Sequence, residues 1–148
     1  MYLMEETSQQ TQTSNGNQSA QNSRGLVLVV EDDSFLGKLL CDRLRTDGFE
    51  IYQATTGQQA LDFLKDHSPM LMLLDLLLPV MDGFQVLEWV RRQDRIKDLP
   101  VIVLSNVREP NMVERAQQLG ADDYLIKAHF VLDEIIERMN QVIKKRYM

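Results

Sequence analysis

Two rhythms of apolar residues alternate along this chain. Leu26 to Val30 is an unbroken run of Leu and Val, and it gives way to Phe35, Leu36, Leu39, Leu40 and Leu44, which recur at helical spacing until Gly48. A short continuous aliphatic run suits a covered strand, and a spacing of three and four marks one face of a helix. A weaker strand is expected over Glu50 to Gln53, followed after Gly57 by a short helix with Ala60, Leu61 and Leu64 on one face. Met70 to Leu74 is a second pure strand, and Phe84, Leu87 and Val90 predict a helix that fades near Arg95. Val101 to Leu104, just after Pro100, is a third. Met112, Ala116 and Leu119 then predict a helix stopped by Gly120. Tyr124 to Ile126 is the last strand, and Leu132, Ile135, Ile136, Met139, Val142 and Ile143 line the final helix.

Strand followed by helix, five times over, implies parallel strands joined by right-handed crossovers, with helices on both faces. The strongest runs show no polar alternation, as strands covered on both sides require. The first, third and fourth strands are the purest and belong in the middle. The second and fifth carry more polar residues and suit the edges. The expectation is an α/β doubly wound five-stranded parallel sheet in order 2-1-3-4-5, the flavodoxin-like arrangement.

Residues 1–24 do not share this pattern. Gln, Ser, Thr and Asn dominate from Thr7 to Ser23, and so polar a segment buries too little apolar surface to offset its ordering entropy. It reads as a disordered N-terminal tail, with one domain over residues 25–148. The formal net charge is -6, which argues against a nucleic-acid partner, since that needs a concentrated basic stripe. The short basic cluster of Arg91, Arg92, Arg95 and Lys97 is better explained as a solvated helix end. No run is long and apolar enough to span a bilayer, so no membrane partner is implied. The single cysteine, Cys41, excludes an internal disulfide framework and fits a reducing, cytoplasmic location.

Ligands of such a sheet sit outside the carboxyl ends of the strands. The first strand ends in Glu31, Asp32 and Asp33, the third in Asp75, the fourth in Ser105 and Asn106, and the fifth in Lys127. Crowded carboxylates repel one another, and a hard cation with oxygen ligands, Mg2+, resolves the conflict. Asp75 is then placed as a nucleophile toward phosphorus, giving an aspartyl phosphate, with Lys127 supplying positive charge and Ser105 a hydroxyl to other phosphoryl oxygens. A plainer reading exists for part of this set: Asp33 or Ser34 serves as a helix cap. Asp75 resists that reading, because a carboxylate ending the most apolar strand costs free energy unless paired or metal-bound.

These residues resemble the receiver domain of bacterial two-component response regulators. The matching stretches are LVLVVEDDSFL at 26–36, LMLLDLLLPVMDGFQVL at 71–87, LPVIVLSN at 99–106 and LGADDYLIKA at 119–128, so the resemblance covers 25–146. It implies Asp75 as the phosphorylated aspartate and Asp32 as a direct Mg2+ ligand, with Glu31 acting mainly through water. The backbone carbonyl of Leu77 would complete the protein ligands, and Asp33 falls outside the set. Ser105 corresponds to the switch hydroxyl, Tyr124 to the switch aromatic and Lys127 to the site lysine. The resemblance further implies a sensor histidine kinase or phosphotransfer protein as donor. The face of the fourth helix, fifth strand and fifth helix would change shape, control protein partners and support at most a weak homodimer. No segment follows Met148 to act as an output domain, so a stand-alone signalling switch rather than an enzyme is expected.

Two departures stand out. Ala128 follows the lysine where the family usually has proline, often in a cis peptide, which costs a non-proline residue about 2.5–4 kcal/mol. Asn106 occupies a position that is usually Ala or Gly. With the apolar Leu77, Asn106 is expected to slow self-dephosphorylation. The departures also leave a second class of function open, a protein-binding module of the same fold that no longer uses phosphate. A third class, a phosphohydrolase or flavin carrier, fits less well. The chain has Leu77 where an aspartate phosphohydrolase has a second Asp, and acidic residues where a flavin carrier has its phosphate loop.

Overall fold

The computed structural model describes residues 23–148. The polar tail expected over 1–24 therefore lies outside the described residues, apart from Ser23 and Arg24. The chain runs β1 (Leu26–Val30), α1 (Ser34–Thr46), β2 (Glu50–Ala54), α2 (Gly57–Asp66), β3 (Leu71–Leu74), α3 (Gly83–Arg92), β4 (Val101–Ser105), α4 (Pro110–Gln118), β5 (Asp123–Ile126), a single 3-10 turn (Lys127–His129) and α5 (Leu132–Tyr147). All strand pairs are parallel and the sheet order is β2-β1-β3-β4-β5, as the strand purities predict.

Alternate strand residues divide the interior into two layers. Leu28, Val30, Met72, Leu74, Val101 and Val103 face α2, α3 and α4. Val27, Val29, Leu71, Leu73, Ile102 and Leu104 face α1 and α5, where Cys41 and Met139 are also fully enclosed. The helices begin where short polar side chains satisfy their first amides. Asp33 accepts from Phe35 N and Leu36 N at the start of α1, so it is a cap. Thr56 caps α2, and Asp82 and Gln85 form a reciprocal pair at the start of α3. Arg24 hydrogen-bonds from its backbone N–H to Gly48 O at 2.9 Å and lays its guanidinium over the Phe49 ring, so the packed unit begins just before β1.

The structure corrects the pattern reading in four places. Phe35 and Leu39 are 76% and 41% exposed, because α1 presents Leu36, Gly37, Leu40, Cys41 and Leu44 to the sheet and the other two sit to one side of that stripe. In α4 only Ala116 is buried, and Met112 is exposed. α3 stops at Arg92 rather than near Arg95. Arg91 is not a solvated helix end. Its guanidinium donates to Leu119 O, Lys97 O, Leu99 O and Gly120 O at 2.7–3.0 Å, tying α3 to the segment between α4 and β5. Among the described residues, no helix is long and apolar enough to cross a membrane.

Candidate functional site

Strand register assembles the rim. Val30 pairs with Leu74, and the next backbone bonds run from Asp75 N to Val30 O and from Glu31 N to Ala54 O. Glu31 and Asp75 therefore emerge side by side, one step beyond the last pair of adjacent strands. Ser105 pairs with Ile126 in the same way, which places Lys127 just past the end of β5. Gly83 keeps this rim compact. A side chain at that position would collide with the Asp75 carbonyl oxygen and the Leu76 backbone, which Gly83 N–H approaches to bond Leu76 O at 3.0 Å.

The Lys127 ammonium lies between two carboxylates, 2.6 Å from Glu31 Oε1 and 2.8 Å from Asp75 Oδ2. Glu31 and Asp75 are buried, and Asp32 is exposed beside them. One oxygen from each of these three acids lies within 4.8 Å of the others. Burial drives the Glu31 carboxyl up to about 7; the hydrogen bond from Lys127 opposes that rise and the nearby Asp75 charge reinforces it. For Lys127, burial favours the neutral amine, but the hydrogen bonds to Asp75 and Glu31 outweigh it and hold the ammonium above its ordinary range. A donor set made only of oxygens, with one exposed member open to solvent, fits a hard divalent cation that keeps some of its water.

Leu77 sits beside Asp75, its N–H donating to Asp75 Oδ1 at 3.1 Å, and it is 62% exposed. The following loop turns at Val80, whose φ of 67 is a left-handed conformation unfavourable for a β-branched residue. Ser105 is fully buried, and its Oγ accepts a long bond of 3.4 Å from Val107 N. Tyr124 is half-buried and donates its hydroxyl to Val107 O at 2.7 Å. Both groups singled out as switch residues thus meet at one residue, Val107, which sequence reasoning did not single out. Burial, with Glu109 and Asp75 nearby, pushes the Tyr124 phenol up. The described peptide bonds include no cis bond, so Lys127–Ala128 is trans. Glu31, Asp32, Asp75, Ser105 and Lys127 are all brought to this one rim, with Tyr124 reaching it through Val107. Asp33 points into α1 as its cap.

The fold agrees with comparisons to known proteins. The family model described as the response regulator receiver domain matches residues 27–140. The transcriptional regulatory protein PrrA of Mycobacterium tuberculosis is 38% identical over 120 residues, 81% of this chain and 50% of that protein. The polar-differentiation response regulator DivK of Brucella anthropi is 33% identical over 101 residues, 68% of this chain and 82% of that one. The receiver domain of a signal transduction histidine kinase from Syntrophus aciditrophicus superposes with a TM-score of 0.75 at 28% identity, covering 83% of this chain and 92% of that one. The chain spans about half the length of several of the curated relatives it matches, PrrA among them.

Proposed function

Since the chain belongs to the response regulator receiver domain family, we propose that it is a phosphorylation switch in which Asp75 accepts a phosphoryl group from a phosphohistidine. The observation that carries this reading is the Lys127 ammonium held between Glu31 and Asp75, with Asp32 at the open side. A carboxylate oxygen of Asp75 attacks phosphorus, the phosphorus–nitrogen bond of the donor breaks, and its electron pair stays on the imidazole nitrogen. Lys127 lies where it can pair with a phosphoryl oxygen as the negative charge on Asp75 is consumed. Glu31, Asp32, Asp75 and the Leu77 carbonyl would hold Mg2+, which when bound neutralises phosphoryl oxygens during transfer. The donor is a sensor histidine kinase or a phosphotransfer protein.

The switch follows from weak bonding at Ser105. Its oxygen accepts only a long bond from Val107 N–H, while its hydroxyl proton can be donated to a charged phosphoryl oxygen, so moving toward that oxygen sacrifices little. Val107 then shifts, and the Tyr124 hydroxyl bonded to it is released to turn inward. The α4–β5–α5 face changes shape and is read by protein partners, or by a second copy in a weak dimer. Leu77 offers no polar group to orient an attacking water, so the phosphorylated form loses phosphate slowly.

Treatment with acetyl phosphate and Mg2+, followed by mass spectrometry, tests the reading. One added phosphoryl group is expected on Asp75 and none in Asp75→Ala. An unmodified wild-type chain would rule the reading out.

A further inference from the structure

Beyond the end of the β4–β5 ladder, one side-chain contact continues what the backbones abandon. After the pair Ser105 and Ile126, β4 leaves toward α4 and β5 enters the 3-10 turn at Lys127. The first N–H groups of such a turn have no partner within it. The Ala128 N–H is satisfied from outside: it donates to Oδ1 of Asn106 at 3.0 Å, across 22 positions of sequence. Ala128 directly follows Lys127, the residue whose ammonium reaches Glu31 and Asp75.

We propose that Asn106 is a positioning residue for Lys127: its amide oxygen fixes the backbone at Ala128, and so sets where the lysine stem leaves β5 and where its ammonium lies at the acceptor. This rests on the phospho-acceptor reading above. A lysine side chain is a flexible four-carbon stem, so its reach is defined largely by where its backbone is held. Proline at 128 would have no N–H to donate, and Ala or Gly at 106 would have no side-chain oxygen to accept it. The two departures from the family pattern are the two halves of one contact. Both residues are exposed, so the bond adds little to global stability, and its effect appears at Lys127 instead.

The test compares acetyl phosphate labelling rates of wild type, Asn106→Ala, Lys127→Ala and the double variant at saturating Mg2+. It is read together with amide exchange at Ala128 and the Lys127 ammonium resonance by nitrogen-15 NMR in the unphosphorylated proteins. Losing one neutral hydrogen bond should slow labelling and speed Ala128 exchange about threefold to tenfold in Asn106→Ala. The ammonium resonance should broaden or shift, with the melting midpoint unchanged. Asn106→Asp, which keeps an acceptor, should restore the Ala128 protection. In the Lys127→Ala background, Asn106→Ala should change the labelling rate no further. Equal slowing in that background would mean that Asn106 acts directly on the phosphoryl group, and faster labelling would make it a steric gate; either result overturns the proposal. Unchanged Ala128 exchange and an unchanged ammonium resonance overturn it as well. Should wild type take no phosphoryl group, the phospho-acceptor reading fails by itself, and the two NMR observables still decide whether Asn106 positions Lys127.

Discussion

The middle of the sheet and its β5 edge are anchored very differently. In β3 every residue is buried, and in β1 all but Leu26 are, each strand having a helix layer on both faces. At the β5 edge, by contrast, the strand buries only Leu125, and α4 buries only Ala116. Glu31, Asp32 and Asp75 hang from the first pair, and Lys127, Tyr124 and the face expected to respond belong to the second. Carboxylates proposed to share a cation need fixed positions, because their interaction depends steeply on distance and surroundings. A responding face needs alternative arrangements within reach, and those come from parts of a fold with few buried contacts. The weakly packed side is still strapped down at chosen points. Arg138 grips Asp123 with two bonds of 2.7–2.8 Å, and Arg91 holds the chain just past α4.

The strongest test of this contrast is Leu73→Ala. It removes a fully enclosed side chain from the firm half and should lower the unfolding free energy by about 2–5 kcal/mol in denaturant titration. A loss below about 1 kcal/mol would mean that β3 is not the rigid member. Arg91→Ala comes next. It deletes charge-assisted bonds to four carbonyls and should cost about 1.5–3 kcal/mol. Its amide exchange should rise in α4 and around Gly120 while β1 and β3 stay protected; uniform acceleration would instead mean that the two halves open together.

Glu31→Gln sharpens the comparison through pH. In the metal-free protein the Glu31 carboxyl titrates near 7, against 4.5 in the absence of folding, so the folded state binds that proton more tightly. Stability contributed by the protonated form is complete below pH 4.5 and is lost as pH rises toward 7. The melting temperature of Glu31→Gln minus that of wild type should therefore climb across this window and level off above it. A flat or falling difference would show that burial at Glu31 is already compensated by Lys127. The smallest effect is expected for Met112→Ala in α4, within about 0.5 kcal/mol because the side chain is exposed. A larger loss would place α4 among the firm elements.

Much of this architecture was legible in the chain before any coordinates. Strands buried on both faces must be continuously apolar, so β1, β3 and β4 announced themselves and their purity ordered the sheet. The acidic, hydroxyl and ammonium residues of the rim were found because a parallel sheet sends the ends of its strands to one edge. What stayed hidden depends on contacts between distant positions. The bond from Tyr124 to Val107 spans 17 positions and that from Arg91 to Leu119 spans 28. Nothing local to Val107 or Arg91 signals either bond. Phe35 and Leu39 misled because a helical repeat of apolar residues does not say how wide a stripe the sheet will cover.

By itself, then, the sequence determined the order of strands and helices and which chemical groups reach the rim, because periodicity and strand ends are local properties of the chain. Only the tertiary structure decided that Lys127 is shared by Glu31 and Asp75, that Glu31 holds its proton up to about 7, and that Asn106 is bound to Ala128. The physical reason is that charge sharing and desolvation depend on distances of a few ångströms between residues far apart in the chain, and those distances exist only once the sheet has closed.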